Sequence, residues 1–355
     1  MLKLNRGEWS ELYGVLFLLV KPNIKVVDEN LRTIELANKL FTLKKIIFES
    51  KLELRYEIIS ENILIFLDGS QQSKMTMEQI EFARNQLLYK IKNVSSKDGA
   101  FSIPSLTDFL CEFTNGEVLK SASKTKADVK MVVYDSKTAK EAELSYSIKS
   151  SLGSPSTILN ASNNTNFKYE VKNISNSDIA AINAINSSKK LLDRIKLIDK
   201  LGGVIKFHAV LSETFEYNLQ MVDSKMPEYL GNALLYSYIN NNKDLYQLFV
   251  KSNNFEDSNF AIKKLGDLLS AISFGLIPGT KWDGTKVVTG GLIVIREDGE
   301  VYILDLVYYE EAVRKYLINQ SKLDSPSSTR YKMLELFEED GKIYFTLNLQ
   351  IRYKK

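Results

Sequence analysis

Lys126-Ala-Asp128-Val-Lys-Met-Val-Val-Tyr134 and, a short polar turn later, Ala142-Glu143-Leu-Ser-Tyr-Ser147-Ile-Lys149 decide the reading of this chain. Both runs are short and rich in β-branched and aromatic residues, the composition of paired strands. Side chains alternate between the two faces of a strand, so Glu143, Ser147 and Lys149 share one face, with Ser147 and Lys149 roughly 6 to 7 Å apart. Asp128 stands about twenty residues before Lys149, at the start of the first strand. A carboxylate and a lysine on neighbouring strands suit a metal-dependent phosphodiesterase. Mg²⁺ takes one or two carboxylates and keeps several waters, and the ammonium manages the attacking water and the charge developing on phosphate. Asp128 is the natural metal ligand, with the main-chain carbonyl of Ile148 as a second donor.

In the nuclease superfamily written PD-(D/E)xK, an acid precedes the lysine by two positions. That position is Ser147 here, which leaves the site one carboxylate short. Glu143, Glu170 and Glu11 are the candidates to restore it, and Glu143 shares the strand face by parity. A lone Asp followed by Ser-x-Lys also arises by chance in many proteins, so the spacing alone keeps other readings open.

Composition narrows the chemistry further. The 355 residues are 44% apolar and 26% charged, an ordinary globular balance, and the net charge is only +3, so any basic surface is local. One cysteine, Cys111, excludes an intramolecular disulfide and a Cys-rich zinc site, fits a reducing cytoplasm, and reads as a small buried hydrophobe. One histidine, His208, excludes multi-His metal sites; in its apolar run it reads as a packed side chain. Leu12 to Val20 is too short for a membrane span and reads as a buried helix, which favours a cytoplasmic protein with no membrane partner.

Along the chain, helices are expected at the N-terminus, over Glu29 to Leu43 and from Met77 to Val94, with a short one after Pro104. Strands are expected between Ile46 and Leu67, over Val129 to Tyr134, Ala142 to Lys149 and Phe167 to Val171, and in hairpins turning at Glu297-Asp-Gly299 and Asp340-Gly341. Single helices are expected over 177 to 201, 227 to 251 and 257 to 276. Residues 1–120 read as a helix plus a mixed α/β arm and 121–355 as the catalytic part. Trp9 reads as a core anchor and Trp282 as the pin of its Gly-rich loop.

Four separated pieces resemble the HpaII family of type II restriction endonucleases. They are Arg6-Gly-Glu-Trp-Ser-Glu11-Leu-Tyr, the long Ser147-Ile-Lys-Ser-Ser-Leu-Gly-Ser-Pro-Ser-Thr-Ile-Leu-Asn-Ala-Ser-Asn-Asn-Thr-Asn-Phe167, Trp282-Asp-Gly284 with Gly290-Gly291, and Asn348-Leu-Gln-Ile-Arg352. The resemblance implies an α/β (α+β) fold with a restriction-endonuclease-like core, a mixed sheet flanked by helices, and added N- and C-terminal elements. It also implies a homodimeric, Mg²⁺-dependent enzyme that cuts double-stranded DNA at a short palindromic site, CCGG being that of the family's namesake, with a separate cognate methyltransferase. By analogy Asp128 and Lys149 are the catalytic pair, with Ser147 in the acid's place and Glu11 as the helix glutamate beside the site.

Asn amides pair with adenine N6/N7, and hydroxyls serve bases or phosphates, so Ser151, Asn160, Ser162, Asn163, Asn164 and Asn166 are candidate DNA contacts. Lys124, Lys126 and Arg330 are candidate phosphate or guanine contacts. The same residue types dominate plain solvated loops. A repair or structure-selective nuclease, and an inactive DNA-binding protein lacking the second acid, remain alternatives at this point.

Overall fold

The computed structural model describes residues 2–37, 40–49, 52–94, 99–116 and 126–354. The chain divides into two units, Met1–Ser156 with Lys286–Tyr316, and Thr157–Thr285 with Leu317–Lys354. The boundary expected at 120/121 falls within 117–125, outside the described residues.

The first unit opens with α1 (Arg6–Val20), started by a capping box. Asn5 Oδ1 accepts from Glu8 N at 3.0 Å, and Glu8 Oε2 accepts from Asn5 N at 2.9 Å. The apolar run then follows as a buried helix, with Trp9 fully buried and its Nε1 donating to Phe101 O at 3.0 Å. The helix expected over 29–43 does not form. Asp28 Oδ1 accepts from Asn30 N and Arg32 N, both at 2.9 Å, and folds the backbone into a turn with Leu31 at φ +60. Among the described residues of this stretch only a 3-10 turn at Glu35–Ala37 is helical, and Leu36, which suggested an apolar face, is 95% exposed.

Strands β1 (Phe41–Glu49), β2 (Glu53–Ile59), β3 (Asn62–Leu67) and β4 (Ser70–Thr76) run as a meander into α2 (Met77–Asn93), followed by α3 (Thr107–Thr114), β5 (Val129–Asp135) and β6 (Lys140–Ser150). The turn Asp68-Gly69 has both residues at positive φ, +46 and +79, as a tight hairpin requires. Cys111, expected to be buried, is exposed on α3, which buries Leu110 and Phe113 instead.

Next come β7 (Thr157–Leu159), β8 (Asn166–Lys172), α4 (Asn176–Asn183), α5 (Lys190–Lys200), β9 (Val204–Val210), α6 (Glu213–Val222), α7 (Met226–Asn240), α8 (Leu245–Ser252) and α9 (Ser258–Phe274). Two of the long helices expected here are each broken in two. Asn241 at φ +49 ends α7, and Asp244 restarts the chain by accepting from Gln247 N at 2.9 Å. β9 and α6 lie where no element was assigned, and His208 sits exposed on β9 with its ring 5.0 Å from Tyr344 rather than packed away.

The chain ends with β10 (Gly291–Ile295), β11 (Val301–Asp305), α10 (Glu310–Gln320), β12 (Ser321–Leu323), β13 (Phe337–Glu339), β14 (Lys342–Asn348) and β15 (Ile351–Tyr353). The first unit contains an eight-stranded sheet in the order β11-β10-β6-β5-β1-β2-β3-β4, in which β6 and β10 pair in parallel and the other neighbours antiparallel. Helices α1 and α2 pack together in its apolar core. The second unit holds two sheets, β12-β15-β7 and β13-β14-β8-β9, with its helices. The result is the expected mixed α/β fold. Because β5 and β6 are antiparallel neighbours, the start of one and the end of the other meet at one end of the large sheet.

Candidate active site

The register Val129↔Tyr146 sets Asp128 beside Ser147. Asp128 N donates to Tyr146 O at 2.8 Å, extending the ladder by one residue. Its carboxylate turns onto the next strand, where Oδ2 accepts from Ser147 Oγ at 2.9 Å and from Ile148 N at 2.7 Å. Ser147 is 2% exposed. A carboxylate at 147 would therefore face a second carboxylate at hydrogen-bond distance, whereas serine donates to the one that is present.

Lys149 is half-buried two residues further on the same face as Ser147. Lys126, two residues before Asp128, is also half-buried. Burial, and then the nearby charge of Lys149, push its pKa down to about 8, while Asp128 pulls the other way. Two ammonium groups thus surround one carboxylate, a balance that favours an anion. Lys126 belongs to this cluster, which its sequence position left open.

Glu11, half-buried on α1, lines a hollow of about 300 Å³ with Ile148, Ser150, Arg6 and Ser154. Ile148 and Ser150 project to the face opposite Ser147 and Lys149, so Glu11 adjoins the site through Ile148. Glu143 is not brought to Asp128. It lies roughly 13 Å back along β6 from Ser147, exposed, and pairs with Lys130 at 3.5 Å. Glu170 is bound to Lys172 on β8, at 3.5 Å. Among the described residues no cluster of three or more His, Cys, Asp or Glu could hold a metal ion. The donor set fits a hard cation that keeps most of its waters and takes one carboxylate, which is the habit of Mg²⁺.

The loop leaving β6 is tied to itself. Ser150 N donates to Ser156 Oγ at 3.3 Å and Leu152 N to Ser150 Oγ at 3.1 Å, while Ser151 is exposed with its N–H on Ile295 O at 2.8 Å. In the second unit, residues Asn163–Thr165 form one 3-10 turn. Ser162 Oγ caps it through Asn164 N at 3.2 Å. Asn348, fully buried, donates to Ser162 O and to Asn166 Oδ1, both at 2.7 Å. Ser162 and Asn166 therefore hold the turn, and Asn160 and Asn163 are its exposed side chains. Asn348 was visible in the sequence only as part of the C-terminal motif. Arg330 is exposed, its guanidinium 5.4 Å from the Tyr331 ring centre; Lys124 lies outside the described residues.

No helix among the described residues is long and apolar enough to cross a membrane. No solved structure matches the chain. It is 34% identical over 364 residues to a protein of Haemophilus parainfluenzae named Type II restriction enzyme HpaII, covering 98% of each sequence. The sequence profile described as HpaII restriction endonuclease matches residues 5–353. These matches make the chain a member of the HpaII restriction endonuclease family of type II site-specific deoxyribonucleases.

Proposed function

We propose that the enzyme hydrolyses both strands of duplex DNA at a short palindromic site, using Mg²⁺ held by Asp128 and the Ile148 carbonyl, with Lys149 as the catalytic cation. The observation that carries this reading is the Asp128 carboxylate clasped by Ser147 Oγ and Ile148 N beneath two lysines. Bound Mg²⁺ supplies Lewis-acid polarisation of the scissile phosphoryl group. The chain's own residues do the rest. Lys149 orients the attacking water and offsets the charge that builds on the phosphate oxygens. Lys126 attracts the phosphate, and Ser147 fixes the rotamer of Asp128 without adding a negative charge. Glu11, beside Ile148, assists from the helix side, through water. Asn160, Asn163, Ser151 and Arg330 contact DNA.

A palindrome read by one chain calls for a two-fold homodimer, and such an enzyme acting in the cytoplasm requires a separate methyltransferase to protect its own genome. The test is cleavage of methylation-free plasmid DNA with Mg²⁺, followed by sequencing of the ends, with CCGG-related sites as the first candidates. Asp128→Ala and Lys149→Ala are each expected to abolish cutting while retaining duplex binding in Ca²⁺. Cutting at the wild-type rate by either variant would sink the assignment of that residue.

A further inference from the structure

We propose that the loop Pro278-Gly-Thr-Lys-Trp-Asp-Gly284 reads one G·C pair of the target in the major groove, Lys281 donating to guanine and Asp283 accepting from cytosine. The proposal rests on the site-specific DNA cleavage assigned above and specifies which residues read the site.

The loop is held far more firmly than a solvated connection needs. Asn218, fully buried on α6, commits its whole amide to it. Its Nδ2 donates to Ile277 O at 3.1 Å and Thr280 O at 2.8 Å, and its Oδ1 accepts from Trp282 N at 2.8 Å. Trp282 Nε1 closes the far end on Thr285 O at 2.8 Å. At the base, a Cβ on Gly275 would lie 2.2 Å from Thr285 O, and Gly284 has φ +93, so both positions require glycine.

What this scaffold displays is polar. Thr280, Lys281 and Asp283 are exposed. The Lys281 ammonium rests 4.3 Å from the Tyr217 ring centre and forms no ion pair among the described residues. Asp283 Oδ1 accepts from Thr285 N at 2.9 Å, an interaction that holds its carboxyl below the usual range. A lysine and a carboxylate flanking one tryptophan match guanine O6/N7 acceptors and the cytosine N4 donor. A loop built to grip phosphates would be weakened by Asp283, whereas a cytosine edge needs it. The loop also touches the Asn-rich turn, since a Cβ on Gly279 would lie 2.9 Å from Asn164 Nδ2. Asn163 and Lys281 thus belong to neighbouring segments.

The experiment uses the full-length protein and the site mapped by end sequencing. Binding in Ca²⁺ is measured to a duplex carrying the site, to a scrambled duplex, and to site duplexes with 7-deazaguanine at each guanine in turn. Wild-type protein is expected to lose about tenfold in affinity at one guanine. Lys281→Met is expected to lose about tenfold on the site duplex, to be indifferent to 7-deazaguanine at that position, and to bind the scrambled duplex almost unchanged, which also shows that it is folded. Lys281→Arg is expected to keep the discrimination. Asp283→Ala is expected to lose affinity for the site duplex alone. Equal losses on the site and scrambled duplexes would make Lys281 a phosphate contact and overturn the proposal, as would unchanged affinity for the site. If wild-type protein cuts no DNA site-specifically, the underlying assignment fails instead, and this is known before any variant is made.

Discussion

Replacing Ser147 by Asp would set a second carboxylate against Asp128 at a buried position, and the cost can be worked from the structure. Ser147 Oγ lies 2.9 Å from Asp128 Oδ2, and the side chain is 2% exposed. Two carboxylates about 4 Å apart in a medium of effective dielectric about 20 repel by about 4 kcal/mol. The hydroxyl donor to a charged acceptor, a contribution of about 1.5–3 kcal/mol, is lost as well. The pair relieves this by keeping one proton, so one of its two apparent pKa values rises. The penalty is therefore present at neutral pH and fades as pH falls through that raised value. A divalent cation held between the two carboxylates would relieve it where both are deprotonated. Urea unfolding in EDTA at pH 7.5 is expected to show a clear drop in midpoint for Ser147→Asp, recovered with Mg²⁺ or at pH near 4. A Ser147→Asp protein as stable as wild type in EDTA would refute the placement of Ser147 against Asp128.

Two further outcomes follow from the same unit. Glu11→Gln is expected to raise the Mg²⁺ concentration needed for half-maximal cleavage, whereas Glu143→Gln leaves it unchanged because Glu143 is occupied with Lys130; the reverse pattern in a Mg²⁺ titration would reassign the second acid. Asp305 is fully buried, and burial pushes its pKa up to about 6 despite N–H donors from Val307 at 3.2 Å and Tyr308 at 2.8 Å. A carboxyl raised in the folded state costs stability as pH climbs from its unfolded value near 4 through 6, by an amount on the order of 3 kcal/mol. Asp305→Asn is expected to gain on wild type in urea midpoint between pH 4 and 7, and a pH-independent difference would contradict the burial argument.

The parts of the site legible in the sequence are those fixed by strand alternation. Asp128 and Ser147 stand side by side, with Lys149 two residues on along the same face, because the β5–β6 hairpin leaves no freedom in which residues face each other. Glu143 was chosen by parity alone, which identifies the face of a strand but not the position along it. Glu11 was singled out only through the N-terminal motif, since nothing local says what a helix packs against; the structure sets it in a hollow it shares with Ile148. Lys126 gained its place beside Asp128 only through folding. In the second unit the roles of the fully buried Asn348, which holds the 162–166 turn, and Asn218, which holds the 278–284 loop, were invisible for the same reason: their partners lie far away in sequence. The false helix over 29–43 has the same origin: periodicity at Leu31 and Leu36 says nothing of the Asp28 side chain that competes for the backbone.

The parallel pairing of β6 with β10 has an evolutionary consequence. The chain leaves the first unit at Ser156 and returns at Lys286 to lay β10 against β6, so residues 157–285 are carried as one excursion between adjacent strands. Asp128 and Lys149 sit on a hairpin completed before that excursion begins, and none of its ladder partners lies inside it. Residues 157–285 can therefore vary in length and sequence while β5, β6 and β10 keep their register.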